Sequence, residues 1–353
     1  MSNNCSKERM SQLNFLITLA VAAAMGYLLY RLHVPGGMVV GAIVGVVIFN
    51  LAFNIAVMPS TAKIIAQIVS GAFIGSGISK EEIKQFKRLF IPLAILIVGM
   101  LILNLISGVL IYLTSDLDLI TAMFCAVPGG MSDTPLIAAE MGADGAKVAL
   151  MQFIRLCAGI GLFPIFLKAF VKKQNANFKP LDKPQKTPYT HWGFFVAAVV
   201  AASGGALGKI LGVPAGALLF SLIATMTVKQ FVPSSMLPGW LKRVAQVLAG
   251  AYIGVGISPK DIPEMKNLLV PALLMLLGYF VACVILGRLL SRYSGLTVAE
   301  GMLAATPAGA SDMALISADI GISSPEVIIL QIGRMLSAIM IFPNIIHFCV
   351  NLF

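Results

Sequence analysis

The sequence predicts an all-α polytopic membrane protein made of two homologous repeats, each carrying a Pro/Gly-broken transmembrane or re-entrant segment. Three observations predict it. Of 353 residues, 58% are hydrophobic and only 11% charged, with a mean hydropathy of +0.93; a soluble domain is nearer half apolar and a quarter charged. Four windows hold no charge at all, Gly36–Ala56, Leu89–Ser115, Val213–Val228 and Asn267–Gly287, and each approaches the length that crosses a hydrocarbon core about 30 Å thick. Two further stretches, Ala126–Glu140 and Ala305–Asp319, read almost alike, and each sets a Pro, a Gly and a Ser-Asp pair into apolar surroundings.

The duplication holds one register. Asp133 and Asp312 differ by 312 − 133 = 179. The same shift overlays Val34-Pro35 on Val213-Pro214, and Gln67, Gly71, Gly75 and Gly77 on Gln246, Gly250, Gly254 and Gly256. It also overlays Gln152 and Arg155 on Gln331 and Arg334, and Phe163-Pro164 on Phe342-Pro343. A constant offset over that length is a tandem repeat. The chain divides into a first membrane repeat, 1–171, a linker, 172–191, and a second repeat, 192–353.

In the first half the apolar segments run over about 13–31, 37–56, 62–77, 89–114, 118–141 and 147–171. The first follows Lys7 and Arg9, a pattern shared with signal peptides. Leu13, however, overlays Trp192 inside the chain, so this helix is expected to be retained. Val34-Pro35-x-Gly37 is a turn with no chemistry of its own. The third segment carries Gly71, Gly75 and Gly77, small residues that let helices approach closely, and Ser79 stands where it can cap a following basic helix. The fifth is the broken one. Pro128 has no amide proton and Gly129-Gly130 free the backbone. The sixth places Gln152 and Arg155 on one helix face. The linker holds five lysines and three prolines and cannot bury a core.

Whether the broken segment crosses or doubles back decides the topology. Six crossings per half make the repeats parallel; five crossings and a re-entrant hairpin invert them. Charge favours inversion, because only an odd number of crossings puts the Lys80–Arg88 loop and the linker lysines on one side.

Broken backbone and a carboxylate at membrane depth persist mainly where they line a cavity or an ion path. The candidate ion- or substrate-binding residues are therefore Pro128, Gly130, Ser132, Asp133, Gln152 and Arg155, with Pro307, Gly309, Ser311, Asp312, Gln331 and Arg334 in the second copy. Bare carbonyls before the break can ligate a cation. Ser132 or Asp133 can cap the half-helix that follows. Arg155 lies too deep to snorkel and needs a carboxylate, for which Asp133 and Glu140 are the candidates. A static ion pair is the competing account of the same residues.

Other classes find little support. The net charge of +10 sits at segment ends and in the linker rather than on a nucleic-acid-binding face. The five cysteines have no CxxC spacing and the three histidines no ligand spacing, so neither a metal nor another cofactor is expected.

The paired Pro-x-Gly-x-Ser-Asp segments, the two Gly-Ile-Ser segments (Gly77–Ser79 and Gly256–Ser258) and the whole-chain duplication resemble the AbrB membrane protein family. This is not the small soluble DNA-binding AbrB of sporulation control, which shares only the name. The resemblance implies a multi-pass protein of the bacterial inner membrane. It brings two functional labels, ammonia monooxygenase and regulator of aidB expression. The first requires a metal-ligand cluster that is absent from the sequence. The residues favour a non-enzymatic, ion-coupled secondary transporter for a small, anionic solute. The alternative is a membrane-bound regulator of gene expression. The expected partners are the lipid bilayer and a small molecule or ion, with no direct nucleic-acid contact and a homo-oligomer left open.

Overall fold

The computed structural model describes residues 2–34, 36–131, 133–171, 190–213, 215–257, 266–307 and 325–352. Regular structure among them is helical throughout. In the first half the helices are α1 (Ser2–Arg31), α2 (Gly37–Phe53), α3 (Ser60–Ser76), α4 (Lys80–Arg88), α5 (Phe90–Thr114), α6 (Leu119–Cys125), α7 (Thr134–Glu140) and α8 (Gly145–Val171). In the second they are α9 (His191–Ile210), α10 (Gly216–Phe231), α11 (Gly239–Val255), α12 (Leu269–Ser294), α13 (Val298–Ala305), α14 (Pro325–Met340) and α15 (Phe342–Val350). The starts of α10, α11, α12 and α13 each fall 179 residues after those of α2, α3, α5 and α6, as 216 − 37 = 179 illustrates.

Among the described residues, five helical stretches are long and apolar enough to cross a membrane: Gln12–Arg31, Phe90–Thr114, His191–Ile210, Leu269–Ser294 and Glu326–Val350. In α12 the exposed Leu269, Leu273, Leu277, Val281 and Ile285 follow one another at four-residue steps. That is a stripe along one helix face, and an apolar face this large requires lipid rather than water. The protein is an all-α polytopic membrane protein.

The chain packs as two compact units that do not follow the repeat boundaries. One holds Met1–Ser79, Met131–Ala149 and Thr187–Lys266; the other holds Lys80–Gly130, Leu150–Lys186 and Asn267–Phe353. Each therefore draws matching helices from both halves.

In the first unit, α1 folds back on α2 and α9 on α10 through left-handed turns at Gly36 (φ 64°) and Ala215 (φ 54°). Gly71 and Gly75 of α3 lie on the backbone of Leu218 and Leu222 in α10. Gly250 and Gly254 of α11 lie on the backbone of Val39 and Ile43 in α2. The two contacts are one contact made twice, since 218 − 39 = 179. Both pairs are parallel, because position rises together along the two helices. Any side chain at these glycines would meet a carbonyl, which is why the spacing of small residues is needed. The Ser221 hydroxyl adds a 2.8 Å bond to the Ile68 carbonyl across α10 and α3. The half-helix α7 is anchored here: Leu136 packs in a core with Ala66, Ala149, Ala249 and Ile253.

In the second unit, Gly99 of α5 faces Leu286 of α12, and Gly278 of α12 faces Leu103 and Ser107 of α5. Position rises along one helix as it falls along the other, so α5 and α12 run antiparallel. Gly108 seats Met123 of α6, and its counterpart Gly287 seats Met302 of α13. The last segments differ. Helix α8 is continuous through Pro164, whereas the second half stops at Met340 and restarts as α15, with Pro343 in the first turn. Proline tolerates that position because its missing amide proton has no intrahelical acceptor there.

Candidate functional site

Helix α6 ends at Cys125 and α7 begins at Thr134, and the described residues between them belong to no helix. A helix end leaves its last carbonyls without amide partners, and in an apolar interior each needs another donor. Neighbouring side chains of the second unit supply these donors. Asn104 Nδ2 donates to the Met123 carbonyl at 2.9 Å. Gln152 Nε2 reaches Phe124 at 3.3 Å and Val127 at 3.0 Å. The Tyr279 hydroxyl donates to Ala126 at 2.6 Å. Arg155 donates from Nη1 to Val127 at 2.8 Å and from Nη2 to Gly129 at 2.5 Å. The carbonyls expected to lie open to a cation are thus held by amide, phenol and guanidinium donors.

All four donors are buried: Asn104 and Gln152 are 0% exposed, Tyr279 1% and Arg155 3%. Pro128 is buried and Gly130 half-buried beside them. The guanidinium meets the carbonyl end of α6, where the helix dipole is negative. In the second copy Gln331 Nε2 donates to the Leu303 carbonyl at 2.8 Å, the counterpart of Gln152 and Phe124. Gln331 (1% exposed), Arg334 (3%) and Pro307 are buried as well. Ser132, Gly309, Ser311 and Asp312 lie outside the described residues.

Asp133 belongs to the first unit, is 7% exposed and occupies the N-cap position of α7 without a side-chain capping bond. Glu140, at the other end of α7, accepts a 2.7 Å bond from Gln67, which is fully buried in α3. Both carboxylates considered as partners for Arg155 therefore sit in the first unit, and Arg155 itself in the second. The guanidinium's observed hydrogen bonds are to backbone carbonyls.

Arg155 comes from the first half and Arg334 from the second, and both belong to the second unit. Elsewhere in the second unit a cavity of about 480 Å³ opens where α5 begins and α12 ends, lined by Arg88, Pro92, Tyr293, Leu296, Glu300 and Glu326. Glu300 is engaged there as a capping box, bonded to the Thr297 amide at 2.7 Å and its hydroxyl at 2.9 Å. Among the described residues no three His, Cys, Asp or Glu side chains gather as metal ligands.

A family model described as "Transition state regulatory protein AbrB" matches residues 2–103 and 52–350. The chain belongs to the AbrB family. Two relatives match over most of its length. "Putative regulator AbrB" of Escherichia coli (strain K12) is 24% identical over 340 residues, 96% of each chain. "Uncharacterized protein YhjN" of Bacillus subtilis (strain 168) is 23% identical over 288 residues, 78% of this chain and 75% of that protein.

In this AbrB-family chain, Tyr279 and Asn104 complete the site, and neither was among the residues singled out from the sequence. Both left a signal in the comparison of the two copies. Under the 179-residue shift Tyr279 overlays Met100 and Asn104 overlays Cys283. Asn104 is also a lone amide in the longest uncharged helix.

Proposed function

We propose that this AbrB-family protein is an ion-coupled secondary transporter of the bacterial inner membrane that moves a small, anionic solute and catalyses no covalent reaction. The observation that carries the reading is the pair of buried arginines, one from each half, the first of them bonded to the carbonyls of a broken helix. A buried cation costs several kcal/mol unless it is compensated. Carbonyl dipoles compensate Arg155 only partly, which leaves a positive locus suited to an anionic ligand. Asp133 and Asp312 are assigned to the coupling proton or cation. Alternating access needs two bodies and two opposed halves. The separately packed units, each drawn from both halves, and the antiparallel run of α5 and α12 both support inverted repeats.

Uptake into vesicles containing the purified protein, across a panel of inorganic ions and small organic acids, tests this. Solute-dependent flux is expected to require a proton or sodium gradient. Asp133→Asn is expected to abolish the gradient-dependent flux. An Asp133→Asn variant that folds and keeps full flux would remove the coupling role assigned to this carboxylate.

The name of the Escherichia coli relative favours a second reading, a membrane-bound regulator acting through a partner. Helix α4, with Lys80, Lys84, Lys87 and Arg88, would be the docking element. Loss of the regulatory effect on replacing those four residues, with flux intact, would separate the two.

A further inference from the structure

We infer that the cavity between the start of α5 and the end of α12 seats the headgroup of one phosphatidylethanolamine-type lipid per chain, with its phosphate on Arg88 and its ammonium on Glu300 and Glu326. The inference is independent of the solute the protein moves. It starts from where the cavity lies. Helix α5 begins at Phe90 and α12 ends at Ser294, and both are long and apolar enough to span a bilayer. They run antiparallel, so these two ends lie at the same level, and both line the cavity.

The cavity adjoins the lipid-facing surface. Ile91 and Tyr293 both line it and are 63% and 59% exposed. Ile91 heads the exposed row of Val98, Ile102 and Ile106 on α5. Tyr293 closes the exposed row of α12, which continues past Ile285 through Leu289 by the same four-residue step. A lipid whose acyl chains lie along those rows brings its headgroup to the cavity. A tyrosine suits that depth, because its ring packs against chains while its hydroxyl meets the polar layer. The volume of about 480 Å³ falls among small-molecule pockets, which hold about 300–1,000 Å³.

Charge selects the headgroup. Among the described residues the lining carries one guanidinium, of Arg88, and two carboxylates, of Glu300 and Glu326. The carboxylates stand in the first turns of α13 and α14, which anchor them. A phosphodiester accepts hydrogen bonds from the guanidinium fork. A primary ammonium offers three N–H donors to carboxylate oxygens. A headgroup with phosphate alone would bring a further negative charge against two carboxylates. Choline has both charges but no N–H to donate. Phosphoethanolamine matches both signs and supplies the donors.

Native mass spectrometry and thermal unfolding of the detergent-purified, delipidated protein test this with dioleoyl lipids that differ only in headgroup: phosphatidylethanolamine, phosphatidylcholine and phosphatidylglycerol. One phosphatidylethanolamine per chain is expected to bind about tenfold or more tighter than either other lipid, the effect of one charge-assisted hydrogen bond. Arg88→Gln should weaken its binding by about tenfold. Glu326→Gln should narrow the preference for phosphatidylethanolamine over phosphatidylcholine. Lys209→Gln removes an exposed basic residue at the end of α9, in the other unit, and should leave binding unchanged. Equal binding of the three lipids, a preference for phosphatidylglycerol, or an Arg88→Gln variant that binds phosphatidylethanolamine as tightly as the parent would each overturn the inference. So would a loss in Lys209→Gln equal to that in Arg88→Gln. If a cavity variant fails to fold, the ranking of the three lipids on the parent protein still decides it.

Discussion

Arg155 shows what a broken helix offers a buried guanidinium. A guanidinium deep in an apolar segment demands compensation, and a carboxylate was the obvious supplier. Carbonyls freed by Pro128 and Gly129 take that role, because a half-helix end gathers several acceptors within one side chain's reach. Arg155→Gln should lower stability by about 2–3 kcal/mol, the range for a lost charge-assisted bond with its acceptor left unmet. Tyr279→Phe should cost about 1–2 kcal/mol, since one neutral bond to Ala126 goes. Thermal unfolding of the purified variants ranks the two. A second residue-scale prediction concerns Ala215, which holds a left-handed conformation (φ 54°) where the first half has Gly36 (φ 64°). A Cβ in that conformation costs about 1–2 kcal/mol, partly returned as unfolded-chain entropy when glycine replaces it. Ala215→Gly should therefore raise stability by about 0.5–1 kcal/mol. No gain in unfolding temperature would mean the turn is not strained.

Helices were legible wherever charge-free length or small-residue spacing set them. The boundaries of α2, α3 and α5 follow Gly37, the Gly71–Gly77 stripe and the uncharged run from Leu89. Three things were not legible. The break at Ile341 has no counterpart at the matching Leu162, although Phe-Pro follows both. The partners of the broken segment, Asn104 and Tyr279, are remote in sequence, and only packing brings them in. The compact units cut across the repeats, which no local pattern announces. The glycines offer an element-scale test. An added Cβ at Gly71 or Gly250 meets the backbone of the neighbouring helix, whereas at Gly256 it meets only the Ile253 carbonyl of its own turn at 3.3 Å. Gly71→Ala and Gly250→Ala should each destabilise by about 1–3 kcal/mol and Gly256→Ala by less than about 1. Equal effects at the three sites would mean that the helices part easily.

At the scale of the molecule, the antiparallel α5 and α12 carry a topological consequence. Both are long enough to span a bilayer. Their C-terminal ends must then reach opposite faces. Single cysteines at Asp116 and Tyr293, just beyond one helix and at the end of the other, should react with an impermeant thiol reagent from opposite sides of intact cells. Labelling of both from one side would remove the inverted arrangement and, with it, the opposed halves that alternating access requires. The reciprocity of the contacts reaches further back. Helix α3 seats on α10 as α11 seats on α2, so each half carries both the knob and the socket of one interface. A half-length chain would hold the same two surfaces with nothing to fill them but a sibling in the reverse orientation. Such a fragment, expressed alone, should therefore insert both ways up and assemble as an antiparallel homodimer, a form from which a single fused gene could descend once both orientations were written into one polypeptide.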